Sequence, residues 1–285
     1  MRGGCNLYGL SQMDSPVKDE ALPPAGRRIR VARAVKAAWL SLTRPPLIGS
    51  TSWTRSMTWI ALAAVVAVFA AHLFDDSATL FVRTSHSPFL AVMAEITDVG
   101  KSQWYLVAAA LLFVGIACLD WEARSRSGRS RLAFLFAQAG YAFLAVGFAR
   151  IIVSLAKVLI GRARPILFDE GGSLHFRPFT AADVFNSFPS GHSATMGAVA
   201  MVLMLWFPKA RVPIFLLCAF AATTRIAARA HYPSDVVAGY ALGLLSALFL
   251  ARCLARRRVA FRFKSGALLP VPRFRLWGRK TSRDG

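Results

Sequence analysis

Residues 212–254 read VPIFLLCAFAATTRIAARAHYPSDVVAGYALGLLSALFLARCL, two apolar runs parted by a short polar segment. Each run approaches the roughly 20 residues with which an α-helix crosses about 30 Å of hydrocarbon. Pro233 lacks an N–H and suits the first turn of a helix, so a new helix is expected there, with Asp235 in its opening turn. The polar segment, RIAARAHYPSD from Arg225 to Asp235, therefore stands at the mouth of a membrane-length helical hairpin.

Four more apolar runs lie upstream: Met57 to Phe74, Trp104 to Leu119, Leu132 to Lys157 and Ser193 to Phe207. With the spans Val212 to Ala230 and Val236 to Leu254 they make six, and an all-α, six-span helical bundle is the expected fold. The Ser193 run is short unless its helix begins in the preceding PSGH turn. At 55% hydrophobic residues and a mean hydropathy of +0.47, the composition belongs with multi-span membrane proteins.

A net charge of +21 would suggest nucleic acid in a soluble chain, but its distribution argues otherwise. Arg27, Arg28, Arg30, Arg33, Lys36, Arg44 and Arg55 precede the first span, and Arg252, Arg256, Arg257, Arg258, Arg262 and Lys264 follow or end the last. Arg124, Arg126, Arg129 and Arg131, then Lys209 and Arg211, fall in alternate loops. The positive-inside rule makes these segments cytoplasmic, with both termini inside and loops 75–103, 156–192 and 231–235 outside. Basic tails of this kind are drawn to anionic lipid, so membrane lipids are expected partners and nucleic acid is not. Residues 1–55 read as a basic, disordered cytoplasmic segment, 56–255 as the membrane domain and 256–285 as a basic tail. Trp53, Trp59, Trp104 and Trp206 look like an aromatic belt. Cys5, Cys118, Cys218 and Cys253 have neither disulfide-framework nor zinc spacing. No short apolar core marks a cleavable signal peptide in the first 50 residues. The oligomeric state is not legible.

The expected outer face collects three chemical blocks. In the first, KVLIGRARP, Lys157 supplies a point charge and Arg164 a fork before Pro165 ends the helix. In the second, Pro189-Ser190-Gly191-His192 opens a span, where free N–H groups at a helix start attract an anion. His192 beside that anion can protonate a leaving oxygen. In the third, Asp235 can turn back on His231, fixing its tautomer and leaving the other ring nitrogen free as a nucleophile. Arg225, a cation inside an apolar span, needs a partner, and its fork matches phosphate oxygens. Arg229, one turn further out, reads as snorkelling. Each block alone has an ordinary explanation as helix capping or a basic helix end. The loop from Gly161 to Phe188 is long enough to be a lid, and Ser87 to Ile96 suggests a short interfacial helix.

Together the blocks resemble the type 2 phosphatidic acid phosphatase and vanadium haloperoxidase superfamily, with its Lys-x6-Arg-Pro, Pro-Ser-Gly-His and Ser-Arg-x5-His-x3-Asp signature. Thr224 stands where that family has Ser and keeps the hydroxyl. The resemblance implies that Lys157, Arg164, Ser190, Gly191 and Arg225 bind phosphate. It also implies that His231 forms a phosphohistidine, that Asp235 orients it and that His192 is the general acid. No metal and no other cofactor are implied. The implied activity is that of an integral membrane phosphatase on a lipid phosphate: phosphatidic acid, phosphatidylglycerol phosphate, isoprenoid diphosphate or lipid A. A lipid-to-lipid phosphotransferase on the same site is the alternative enzyme, and a non-catalytic lipid-binding or transport protein the alternative class. The implied setting is a bacterial inner membrane with an extracytoplasmic site.

Overall fold

A computed structural model describes residues 43, 45–47, 51–121, 123–264 and 266–273. The expectations for residues 1–42 and 274–285 lie outside the described residues. Among the described residues, eight main helices follow one another: α1 Arg55–His72, α2 Asp75–Thr84, α3 Pro88–Glu95, α4 Ser102–Cys118, α5 Arg126–Ile160, α6 Gly191–Trp206, α7 Arg211–Ala227 and α8 Pro233–Arg256. A two-residue antiparallel ladder, β1 Phe261–Arg262 with β2 Val271–Pro272, closes against the far end of the bundle.

Among the described residues, five runs are long and apolar enough to cross a membrane: α1, Pro88–Cys118, α5, Pro208–Ala227 and α8. The sixth expected span, α6, starts at Gly191, inside the PSGH turn, and has 16 residues. At 1.5 Å per residue it is about 24 Å long. Eleven of those residues are buried, so α6 is wrapped by its neighbours, and a helix shielded from lipid need not match the bilayer thickness. The outward faces of α1, α4 and α7 expose Phe69, Leu111 and Leu217, apolar surface that only lipid would cover. Trp59 and Trp104 also face outward, whereas the Trp206 indole turns in to donate to Gln138 Oε1 at 2.7 Å.

The closest pairing in the bundle is α6 against α8, and glycine makes it possible. Gly239 and Gly243, four apart on α8, lie against the backbone carbonyls of Ser190 and Ala194 so closely that a Cβ on either would collide with them. Small residues at this spacing let helix backbones touch in a membrane. The contact fixes the PSGH turn against the start of α8, where Ser190 N donates to Asp235 O at 3.0 Å.

Helix α5 ends at Gly161, whose φ of 60° is left-handed and therefore suits glycine. The loop that follows is well tied. Arg177 N donates to Gly161 O at 2.7 Å, Ala163 N to His175 O at 2.9 Å, and Arg164 N to Val184 O at 2.8 Å. Asp169 forms a bidentate pair with Arg83 of α2, at 2.8 and 2.7 Å. The short helix expected from Ser87 to Ile96 is α3, and a second one, α2, precedes it at Asp75–Thr84. Arg229, expected to snorkel, donates instead to Val82 O at the end of α2, at 3.1 Å.

Candidate active site

Lys157 near the end of α5, Gly191 and His192 at the start of α6, Arg225 at the end of α7 and Asp235 in the first turn of α8 all lie at one end of the bundle. The connections carrying Arg124, Lys209 and Arg258 lie at the other. Lys157, Arg164, Gly191, His192, Arg225 and His231 line one polar cavity of about 430 Å³, with Arg150, Ser154, Val158, Asp183 and Asn186. Among the described residues Asp183 is the one carboxylate on that wall, and it is exposed.

Several groups facing this cavity are short of partners. Arg164 Nε, Arg225 Nε and His192 Nε2 are buried atoms with no hydrogen-bond partner among the described residues. Buried donors in a native fold are normally satisfied. Two guanidinium groups with donors to spare stand at one cavity, and rigid forks of this kind fit the oxygens of an oxyanion. Lys157 Nζ is held by Asn186 O at 2.6 Å, and Arg225 Nη1 by Thr97 Oγ1 at 3.2 Å. Thr224 also donates to Thr97 Oγ1, at 3.1 Å, so the hydroxyl beside Arg225 helps hold its helix against the turn after α3.

His231 sits in the α7–α8 connection and is 3% exposed. Its Nδ1 faces Asp235 Oδ2 at 3.6 Å, longer than a hydrogen bond, and Ser187 Oγ at 3.5 Å. Ser187 donates to the same Asp235 oxygen at 2.5 Å, so hydroxyl, carboxylate and imidazole form one triangular cluster. Asp235 Oδ2 also accepts from Tyr232 N at 3.0 Å, half of a capping box. With Nδ1 turned to this group, Nε2 is the ring nitrogen left for the cavity. Burial pushes the His231 imidazole down to about 4, against the smaller opposing pull of Asp235. The ring is therefore neutral near pH 7, with a lone pair available.

Behind Asp235 stands a group that the sequence reading passed over. Arg162 is 3% exposed and donates through Nη1 to Asp235 Oδ1 at 2.6 Å and through Nη2 to Asp75 Oδ2 at 2.8 Å. Its Nε and Nη2 also reach Ser173 O, at 2.9 and 2.8 Å. Asp75 is fully buried, accepts from Ser234 N and Oγ, and meets His72 Nδ1 at 2.8 Å. Burial works against the Arg162 charge, but Asp235 and Asp75 outweigh it and hold its pKa above the ordinary value. A charged guanidinium thus locks the orienting carboxylate, and the half-buried His72 extends the same chain through Asp75.

Ser190 is not part of the cavity wall. Its hydroxyl accepts from Ser193 N at 3.3 Å and Ser193 Oγ at 2.8 Å, so it caps α6, and the side chain is fully buried. Arg150, which sequence reasoning also passed over, joins the wall from α5. A single arginine within an apolar run was the signal available for it.

A neutral imidazole aimed into a pocket of cations, with a second imidazole across it, can attack an oxyanion centre and protonate what leaves. Residues 138–258 match the family model described as the PAP2 superfamily. Over 236 residues the chain is 35% identical to a lipid A 1-phosphatase of Rhizobium johnstonii, covering 77% of this chain and 91% of that protein. A lipid A 1-phosphatase of Rhizobium etli is 39% identical over 166 residues, 55% of this chain and 70% of that one. Among solved structures, a transmembrane PAP2-type phosphatidylglycerolphosphate phosphatase from Bacillus subtilis aligns at 21% identity and a TM-score of 0.46, covering 69% of this chain and 94% of that one.

Proposed function

The chain belongs to the PAP2 superfamily and is a membrane lipid phosphatase; we propose that it removes the 1-phosphate of a lipid A-type glycolipid through a phosphohistidine, on the extracytoplasmic face. The observation that carries the reaction is a single cavity walled by Lys157, Arg164 and Arg225, with His231 and His192 on it and one rim carboxylate. The substrate reading is supported by the name and coverage of the Rhizobium relative.

The phosphoryl oxygens sit among Lys157, Arg164, Arg225 and the N–H groups at the start of α6, which neutralise charge as it redistributes. His231 Nε2 donates its lone pair to phosphorus as the bond from phosphorus to the sugar oxygen breaks. His192 gives that oxygen a proton. Asp235, steadied by Ser187 and Arg162, stabilises the positive charge that His231 acquires. Water then attacks phosphorus, His192 takes its proton, and the P–N bond breaks to release phosphate and restore neutral His231. The basic loops at the opposite end of the bundle support a cytoplasmic assignment for that end and an extracytoplasmic one for the site.

The test is phosphate release in chelator by the purified protein and by His231→Ala, in micelles of lipid A, phosphatidic acid, phosphatidylglycerol phosphate or undecaprenyl diphosphate. Release by the unmodified protein alone, fastest from lipid A, is the expected result. Equal release by His231→Ala would remove the nucleophile assignment. Release only on adding a metal would remove the metal-independent mechanism, and a faster second lipid would replace lipid A.

A further inference from the structure

Arg150 belongs to none of the three sequence blocks, yet it faces the same cavity. It lies on α5 seven residues before Lys157, two turns and about 10 Å deeper along the same face. Ser154 and Val158 complete that strip of the wall. The Arg150 side chain crosses to the start of α6, where a Cβ added to Gly191 would collide with Arg150 Nη1. Among the described residues no carboxylate pairs with it and no carbonyl accepts from it. An unpaired guanidinium within a membrane span is costly and is ordinarily turned to a partner or a ligand. Here it is turned to the cavity.

Its position within the cavity is one-sided. Arg150 Nη1 lies against Gly191, the residue before His192, whereas His231 stands on the α7–α8 connection beside Ser187 and Asp235. In the reaction proposed above, on which this inference rests, His192 marks the leaving-group side. The cavity volume of about 430 Å³ also exceeds what one tetrahedral phosphate fills. Four fixed cations, Lys157, Arg164, Arg225 and Arg150, outnumber the roughly two negative charges of a monoester.

We infer that Arg150 forms a second anion subsite on the leaving-group side, binding a phosphate that stays on the lipid when the substrate is a diphosphate. Arg150 is then a specificity-determining residue rather than a further ligand of the transferred phosphoryl group.

The experiment compares the unmodified protein, Arg150→Gln and Arg150→Lys, each shown to elute as one species with matching thermal midpoints. Lipid monophosphate and lipid diphosphate turnover are measured, and inorganic phosphate and inorganic diphosphate binding is titrated calorimetrically. The expected result is a KM for lipid diphosphate that rises about tenfold more than that for monophosphate in Arg150→Gln, with part of the difference recovered in Arg150→Lys. Inorganic diphosphate should weaken about tenfold more than inorganic phosphate. Equal weakening of both anions, or no weakening, overturns the subsite. Selective weakening in a protein that hydrolyses neither lipid would sustain the subsite and overturn the phosphatase reading alone.

Discussion

Arg162 Nη1 lies 2.6 Å from Asp235 Oδ1, and both side chains are sealed from solvent. The same guanidinium holds Asp75 at 2.8 Å, so one cation ties the start of α2 to the start of α8. Asp235 approaches His231 with its other oxygen. The reach and angle of that oxygen are therefore set by a residue that never meets the cavity.

Replacing Arg162 by Ala strands two buried carboxylates. Removing one partner of a buried ion pair costs about 3–5 kcal/mol. Arg162→Ala is expected to lose that order of stability and most activity. Arg162→Lys keeps a charge but not the fork, and should fold while kcat falls further than KM rises. Thermal midpoints and steady-state kinetics of the two variants check this. Wild-type kcat in Arg162→Lys would mean that the fork does not position Asp235.

Ser187 offers a finer cut through the same chain. Its hydroxyl donates to Asp235 at 2.5 Å and touches the His231 ring at 3.5 Å, but it does not line the cavity. Ser187→Ala is expected to lower kcat about tenfold, the order of one net hydrogen bond of roughly 1–1.5 kcal/mol, with KM nearly unchanged. A variant that raised KM instead would place Ser187 among the substrate contacts.

The His231 imidazole, pushed by burial to about 4, sets a pH window. An unfolded chain binds this proton near pH 6.5. Between about 6.5 and about 4 the unfolded state therefore carries more protons, and stability falls as pH falls. Its contribution is complete above 6.5 and gone below 4. Thermal midpoints in detergent between pH 7 and 4.5 should drop more for the unmodified protein than for His231→Gln. The free-base ring also persists to pH 5, so phosphoenzyme should still accumulate there in a rapid-quench burst. Equal midpoint slopes, or a burst lost with a midpoint near 6.5, would contradict the depressed imidazole.

How much of this was legible in the sequence follows from the range of the forces involved. The spans are local patterns of apolar residues, and most of their ends came within three residues, though α5 begins at Arg126, six residues before the expected Leu132. Lys157, Arg164, His192, Arg225 and His231 carry chemistry in their spacing, and they converge on one cavity. Asp75 was not legible as their partner because it lies 87 residues from Arg162, and nothing in DDSATL marks a buried acid. Arg162 sat inside the KVLIGRARP block, but spacing cannot tell a guanidinium facing the cavity from one facing away. The Ser190 hydroxyl fits an anion site and a helix cap equally well in sequence, and only the geometry selects the cap.

The α6–α8 contact holds His192 opposite His231, and its tolerance is narrow. Gly243 lies against Ala194 O so tightly that a Cβ there would overlap the carbonyl, and that carbonyl is backbone and has no rotamer through which to retreat. Gly243→Leu must therefore push α6 from α8 as a body. Overpacking in a well-filled interior costs about 1–3 kcal/mol, and the displacement moves one imidazole relative to the other. A shift near 1 Å is enough to cost on the order of 10²-fold in rate. Gly243→Leu is thus expected to remain membrane-inserted and to lose turnover by about that factor. Orthovanadate binding should fall too, since Gly191 at the start of α6 moves away from His231 just ahead of α8. Gly115 has open space around it, and Gly115→Leu should leave turnover and midpoint unchanged. Full turnover in Gly243→Leu would mean that α6 can repack without disturbing the two histidines.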